Sequence, residues 1–200
     1  LTFDKDMKVI PNLAESFKLS DDAKTLTIEL RKGVKFHKGQ AMTSEDVKYT
    51  FERIADEKTA AAARSTFAGV DSIETPDANT VIFKLKAANG ALPAAMTNIN
   101  SAILSKAWVT GGADPAKESN GTGAFKIASW ETDKVLKLER NADFWLKDLP
   151  RLDGIEFRVI PDEATILGGL RAKTLDWAFL NDPRVGARAK AEAGLTTWKS

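Results

Sequence analysis

The chain contains few residues that could catalyse a reaction. His37 is the single histidine among 200 residues, and the sequence has no cysteine. One imidazole cannot form a zinc site of several histidines, and without cysteine there is no thiolate nucleophile, thiolate metal ligand or disulfide. His37 lies between Phe36 and Lys38 in a predicted turn, so we interpret it as a hydrogen-bonded turn residue. These observations argue against an enzyme.

Two further patterns suggest a bound ligand but lack the spacing that one requires. Gly121-Thr122-Gly123 lacks the third glycine and the following helix of a dinucleotide-binding loop, and it precedes a predicted strand. We therefore interpret it as a tight turn. Asp4, Asp6 and the pair Asp21-Asp22 have no EF-hand spacing, and we interpret them as solvated turn residues. The sequence predicts no metal ion and no organic cofactor.

The composition is that of an ordinary globular protein, with 43% hydrophobic residues, 28% charged residues and a net charge of +1. This balance predicts no nucleic-acid partner. No apolar run approaches the roughly 18 residues that span a bilayer. The chain opens on Leu1-Thr2-Phe3, which reads as a strand without an initiator methionine, and no signal peptide is visible. We expect a piece of a longer protein, so the missing signal is uninformative.

The elements that would position any site begin with three predicted hairpins before residue 150. In each, polar and apolar residues alternate with a period of two, and turn residues separate the two halves. The predicted pairs are 25–31 with 34–36, 70–74 with 80–85, and 124–130 with 134–140.

Between the hairpins, the clearest helix begins at Thr43. Thr43 as the N-cap and Asp46 three residues later form a variant capping box, and Val47, Phe51 and Ile54 follow on one face. Weaker patterns predict short helices over 60–63, 91–96 and 106–109.

After residue 150 the pattern changes to strand 155–160, helix from Asp162, strand 175–180, helix 183–193 and strand 195–198. This alternation is typical of a parallel α/β layer. We therefore predict an α/β protein with a boundary near residue 150.

Eight stretches carry a collinear pattern along the chain: PNLAESF (11–17), SDDAKTLT (20–27), LRKGVKFHKG (30–39), TSEDV (43–47), GTGAF (121–125), RNADFW (140–145), FRVIPD (157–162) and LRAKTLD (170–176). In this order they resemble the family 5 extracellular solute-binding proteins of bacterial ABC importers for peptides, nickel and opines. Any one of them is weakly specific, whereas the collinear set covers nearly the whole chain. Two departures are Ala124, where the family often has proline, and Lys173, where it often has glycine.

The resemblance implies a class II periplasmic-binding-protein fold. Residues 1–150 would be mostly a peripheral α+β domain, residues 151–200 part of the first α/β ligand-binding lobe, and the second lobe would lie outside this chain. It further implies a monomer, periplasmic or lipid-anchored outside the cell, that captures a peptide, a nickel chelate or an opine. An ABC permease in the inner membrane would be its partner.

Eight residues are candidates for contact with the solute. Ligands of α/β sheets sit at the carboxyl ends of strands, which favours Asn181 with Phe179 and Leu180. Arg64 and Phe67, spaced to share one helical face, resemble an Arg-x-x-aromatic pattern of nickel-type members, although core or surface roles are as plausible. Asn98, Asn100 and Ser101 form a polar loop in a region where the same subgroup contacts its ligand.

Two other classes of function remain open at this point. A hydrolase would need a nucleophile with a base, for which His37 gives little support. A transcription regulator or chemoreceptor could use the same binding lobe, and a DNA-binding or membrane segment elsewhere in its gene would reveal it. Among the five tryptophans, Trp145 and Trp177 could pack in the core or form cleft walls.

Overall fold

A computed structural model describes residues 1–198 of the chain. The Cα positions divide into two compact units. Unit 1 comprises Leu1–Lys126 and Glu139–Asp153, and unit 2 comprises Ile127–Leu138 and the described residues from Gly154 onward. Within residues 1–198, no helix has the length and hydrophobicity needed to cross a bilayer. The assignment of residues 1–150 to a peripheral domain and 151–200 to a lobe stays a prediction.

Unit 1 is built around a four-stranded antiparallel sheet in the order β3-β4-β6-β5. A two-stranded sheet of β1 and β2 accompanies it. The strands are β1 (Thr2–Phe3), β2 (Val9–Ile10), β3 (Ala14–Leu19), β4 (Thr25–Leu30), β5 (Val70–Glu74) and β6 (Thr80–Leu85). The helices are α1 (Ser44–Ala55), α2 (Arg64–Phe67), α3 (Leu92–Ala95) and α4 (Lys106–Thr110), with 3-10 turns at Glu57–Thr59 and Ile99–Ser101.

The core of unit 1 lies between this sheet and α1. Alternate residues of β4 and β6 point inward, so that Leu26 is paired with Phe83 and both are fully buried. Phe51 of α1 packs edge-on against Phe83, with ring centroids 5.1 Å apart. The predicted hairpin β5–β6 and the predicted helix face of α1 are confirmed.

Unit 2 contains two helices and most of a three-stranded sheet in the order β7-β8-β9. Its elements are β7 (Phe125–Glu131), β8 (Val135–Arg140), β9 (Gly154–Arg158), α5 (Glu163–Arg171) and α6 (Pro183–Ala191). The predicted pairing of β7 with β8 is confirmed. β9 runs antiparallel to β8, because Arg140 N donates to Asp153 O and Val159 N donates to Lys134 O.

The predicted parallel layer of unit 2 is wrong for the described residues. Residues 175–180 and 195–198, both predicted as strands, lie outside regular structure. An apolar pattern alone does not make a strand, because a strand also needs a neighbouring backbone to pair with. The helices α5 and α6 begin where predicted, each after an aspartate cap, Asp162 and Asp182.

Two predictions for unit 1 are also wrong. β4 pairs with β3 and β6 and not with residues 34–36. Val34 and Phe36 are instead buried in the core, after a turn in which Gly33 has a φ of 75°. The predicted helix at 60–63 does not form: a 3-10 turn over Glu57–Thr59 has its C-cap at Ala60 in the left-handed region, and the next helix, α2, begins at Arg64. Asp56 caps the 3-10 turn, because its side chain accepts from Lys58 N.

Candidate functional site

Unit 1 holds two neighbouring cavities that meet at residues 97–101, which we call the polar turn. The larger cavity has a volume of about 350 Å³ and the smaller about 210 Å³. Thr97 and Asn98 line both. The larger is lined by Phe3, Ala62, Ala63, Thr66, Phe67, Ala94, Ala95, Thr97, Asn98 and Asn100. The smaller is lined by Leu1, Asn12, Leu13, Ala14, Ile28, Leu30, Met42, Val47, Phe51, Met96, Thr97, Asn98, Ile99, Ser101, Ala102 and Ile103.

The polar turn keeps its shape through its own side chains. Asn98 Oδ1 accepts a hydrogen bond from Asn100 N at 2.9 Å and so caps the 3-10 turn Ile99–Ser101. Thr97 Oγ1 donates to Ala94 O at 2.8 Å, which ties the turn to α3. The loop predicted from sequence therefore presents three of the eight candidate residues, Asn98, Asn100 and Ser101, at the two cavities.

The helix α1 fixes the segment that follows the polar turn. Leu104 N donates to Thr50 Oγ1 at 2.9 Å, and Lys106 N donates to Asp46 Oδ1 at 2.8 Å. The other carboxylate oxygen of Asp46 caps α1 by accepting from Thr43 N at 2.8 Å. Asp46 thus has two roles, of which sequence reasoning found only the cap. The available signal was two polar residues, Asp46 and Thr50, on the helix face that also carries Val47 and Phe51.

Ser101 is the unusual member of the polar turn. Its side chain is only 6% exposed, and within residues 1–198 its Oγ has no hydrogen-bond partner. A buried hydroxyl without a partner loses its hydration without compensation, which costs about 1–3 kcal/mol. A native structure that keeps such a group calls for an explanation.

Arg64 and Phe67 are the first and last residues of α2, and their side chains lie in different surroundings. Phe67 is buried, contacts Phe51 with ring centroids 4.9 Å apart, and forms part of the larger cavity. Arg64 points outward, where its guanidinium pairs with Glu57 and donates to Ala55 O. Phe67 lies at the larger cavity, and Arg64 is not among the residues that line it. That both contact a ligand stays a prediction.

A second group of candidates lies in unit 2, between α5 and α6. Phe179 is exposed and meets Trp177 edge-on, with ring centroids 4.4 Å apart. Asn181 is exposed and Leu180 half-buried. The backbone here is held by Glu163, whose two carboxylate oxygens accept from Asn181 N at 2.7 Å and from Asp182 N at 2.9 Å. Sequence reasoning missed Glu163, since its partners are 18 and 19 residues away.

Asp182 completes this loop as the cap of α6. Hydrogen bonds from the Arg184 side chain and from Arg184 N lower the pKa of Asp182 to about 2. The carboxylate therefore stays charged at neutral pH and is occupied by structural partners.

His37 stabilises a loop and faces neither cavity. Its Nε2 lies 3.0 Å from Gly123 O, an oxygen that also accepts from Asn141 Nδ2 at 2.9 Å. Trp145 Nε1 donates to Thr122 O of the same loop at 3.2 Å. Partial burial lowers the pKa of His37, against the opposing effect of its hydrogen bond to Gly123. The prediction of a hydrogen-bonded turn histidine is confirmed. Residues 121–122 lie outside regular structure and Gly123 lies in a bend, so the predicted tight turn at Gly121-Thr122-Gly123 is not confirmed.

The chain matches known proteins over most of its length. The sequence pattern of "Bacterial extracellular solute-binding proteins, family 5 Middle" matches residues 8–198. The glutathione-binding protein GsiB of Pectobacterium atrosepticum is 31% identical over 178 residues, which cover 88% of this chain and 35% of that relative. The chain therefore spans about a third of the length of this relative.

Solved structures agree with this similarity. The binding protein AgaA of A. tumefaciens R10, in complex with agropinic acid, has a TM-score of 0.79 and 36% identity, covering 85% of this chain and 35% of that one. A putative peptide-binding protein, AppA of Clostridium difficile, has a TM-score of 0.84 and 26% identity, covering 96% and 40%. The predicted fold class, mixed α/β of the periplasmic-binding-protein type, is confirmed. The chain belongs to family 5 of the bacterial extracellular solute-binding proteins.

Proposed function

We propose that this chain is part of the solute-capturing component of a bacterial ABC importer. It binds a peptide or a related small solute, such as a nickel chelate or an opine, and delivers it unchanged to a membrane permease. GsiB is named for glutathione, and AgaA was solved with agropinic acid. These two solutes and short peptides are the first candidates for this chain.

The observation that carries the proposal is the polar turn with its two cavities. Asn98, Asn100 and Ser101 offer amide and hydroxyl groups beside apolar walls, which is the usual composition of a small-molecule site. Hydrogen bonds from its own Asn98 and Thr97 side chains order the turn, and Asp46 and Thr50 hold the segment that follows it, so its groups are ordered before a solute arrives. Such preorganisation reduces the entropy lost on binding.

The loop of unit 2 is proposed as a second contact region. Trp177 and Phe179 present exposed aromatic surface, which gives a large contact area at low entropic cost. Asn181 adds an amide, and Leu180 a half-buried apolar side chain. Glu163 holds the backbone of this loop. Arg64, engaged with Glu57, is proposed as a peripheral contact, available to an anionic solute group only by leaving that partner.

The family resemblance supplies the remaining parts of the proposal. A solute would be enclosed between two lobes by a hinge motion, with one wall from this chain. The full protein would act as a monomer in the periplasm or anchored outside the cell by lipid. If each wall contributed half of a micromolar solute's roughly −8 kcal/mol, this chain alone would bind with about −4 kcal/mol, near millimolar.

Calorimetric titration of the 200-residue chain with glutathione, agropinic acid and a dipeptide mixture tests the proposal. We expect near-millimolar binding of at least one, weakened by Asn98→Ala and by Asn181→Ala. Asn79→Ala, in the turn between β5 and β6, is the control and should leave binding unchanged. Recovery of the solute from the mixture should be complete and chemically intact. Turnover of the solute, or an absence of binding at ten-millimolar solute, would refute the proposal.

A further inference from the structure

We propose that Asn89 is a site of spontaneous deamidation, at which the Gly90 nitrogen displaces the side-chain amide and hydrolysis leaves aspartate or isoaspartate. The inference concerns the chemistry of the chain itself and does not depend on the proposed function. A second Asn-Gly pair, Asn120-Gly121, has the same two residue types in different surroundings. The fold leaves the first pair accessible and encloses the second, so Asn89 should react much faster in the folded protein.

The reaction needs water and hydroxide and no oxidant, reductant or cofactor. Hydroxide takes the proton of Gly90 N, which then forms a bond to Cγ of Asn89 and closes a succinimide ring. The bond between Cγ and Nδ2 breaks, and Nδ2 takes a proton from water and leaves as ammonia. Water then opens the ring, and its attack at Cγ gives aspartate, whereas its attack at the main-chain carbonyl of Asn89 gives isoaspartate. Glycine has no Cβ to obstruct its own nitrogen, which favours the first step.

Gly90 is free to make this attack. Within residues 1–198 its nitrogen donates no hydrogen bond, so no partner has to be displaced. Gly90 is exposed, and apart from its chain neighbours no heavy atom lies within 4 Å of the position that a Cβ would occupy there. The main chain therefore has room to turn the nitrogen toward Cγ of Asn89.

The side chain of Asn89 is held by a local contact. Asn89 is half-buried, and its Oδ1 accepts a hydrogen bond from Ala91 N at 3.0 Å. Ala91 is exposed in the same turn, so it can move together with the reacting pair. Asn89 N donates to Ala23 O at 2.9 Å, which anchors the residue but does not engage the nitrogen that attacks.

The second pair is enclosed by a distant segment of the chain. Asn120 is only 4% exposed, its Oδ1 accepts from Lys38 N at 2.9 Å, and its Nδ2 donates to Gln40 Oε1 at 3.2 Å. A Cβ on Gly121 would lie 3.5 Å from His37 Cε1, so the imidazole ring covers this glycine. Asn120 should therefore react only when this loop opens locally and both hydrogen bonds break.

The modification would alter the approach to α3. Isoaspartate adds one carbon to the main chain between Asn89, which is tied to Ala23 O, and Leu92, which is 1% exposed at the start of α3. These two fixed points are close in the sequence, so a longer main chain cannot join them in the same geometry. We therefore expect the isoaspartate form to be less stable than the unmodified chain.

Peptide mass spectrometry of the full 200-residue chain, incubated for several days at mildly alkaline pH, tests the proposal. Each event replaces an amide NH2 by OH, and fragment spectra distinguish Asn89 from the other asparagines of its peptide. We expect Asn89 to react at least about tenfold faster than Asn120, because Asn120 must first lose two hydrogen bonds. In urea, where the fold no longer protects Asn120, the two rates should become similar.

Gly90→Ala is the matched variant, since the φ of Gly90 lies outside the left-handed region and a Cβ meets no neighbour there. It should slow the reaction at Asn89 about tenfold, because the methyl group obstructs the nitrogen, and leave Asn120 unchanged. Equal rates at the two pairs in the folded chain, or no reaction at Asn89, would overturn the proposal. Urea denaturation of the separated isoaspartate form should show a lower midpoint, and an unchanged midpoint would overturn the effect on α3.

Discussion

Replacing Ser101 by alanine should make the ligand-free protein more stable. The substitution removes only the hydroxyl, which is buried and has no partner within residues 1–198. The hydration that this group lost on folding costs about 1–3 kcal/mol, so Ser101→Ala should raise the free energy of unfolding by about 1 kcal/mol. For a chain of this size, the gain corresponds to roughly 2–4 °C in Tm.

The matched control is another buried serine only four positions away. Ser105 is 1% exposed, but its Oγ accepts from Trp108 N at 3.3 Å and caps α4. Ser105→Ala should therefore lower the free energy of unfolding by about 1 kcal/mol, the usual cost of a lost cap. Urea denaturation of both variants, with unchanged m-values, measures the two effects. If Ser101→Ala destabilises the protein as much as Ser105→Ala, then Ser101 has a structural partner and the argument for a ligand contact fails.

Three further predictions concern side chains that hold the backbone in place. Thr50→Val leaves Leu104 N without its acceptor and should lower the free energy of unfolding by about 2 kcal/mol, more than Thr50→Ser, which keeps the hydroxyl. Equal free energies of unfolding for the two variants in urea denaturation would contradict this. Because the pKa of His37 is lowered on folding from its ordinary 6.5, the free energy of unfolding should decrease as pH falls below 6.5. His37→Gln should flatten the curve of unfolding free energy between pH 7 and 5.5, and an unchanged slope would show that another group titrates. Glu163→Gln keeps one acceptor oxygen instead of two, so amide exchange at Asn181 and Asp182 should quicken about fivefold, and unchanged exchange would remove Glu163 from its positioning role.

Local signals in the sequence were sufficient for the elements whose causes are local. The helix α1 follows from Thr43 and Asp46, and β5 with β6 from alternating residues around a turn. β3 was missed because a bulge between Ala14 and Ser16 breaks the period of two. Ala14 and Phe17 both contact the core although they are three positions apart, which an unbroken strand would not allow.

The candidate site shows the same division between local and distant causes. The polar turn could be found from its asparagines and serine, since Asn98 caps it over two residues. The hydrogen bonds between α1 and the segment after the turn join Thr50 to Leu104 and Asp46 to Lys106. These partners are 54 and 60 positions apart in the sequence, so no local pattern reveals them. Residues 175–180 have the composition of a strand, but pairing decides whether a strand forms.

The roles of the charged groups favour recognition over catalysis in the proposed function. A catalytic acid or base needs a shifted pKa and a free face toward its substrate. Asp182 and His37 have shifted pKa values. However, the Asp182 carboxylate already accepts hydrogen bonds from the Arg184 side chain and from Arg184 N, and His37 Nε2 is already hydrogen-bonded to Gly123 O. The polar turn instead presents neutral groups that cannot transfer a proton at neutral pH. Such groups can hold a solute in one orientation and release it unaltered, which is what an importer requires of its capturing component.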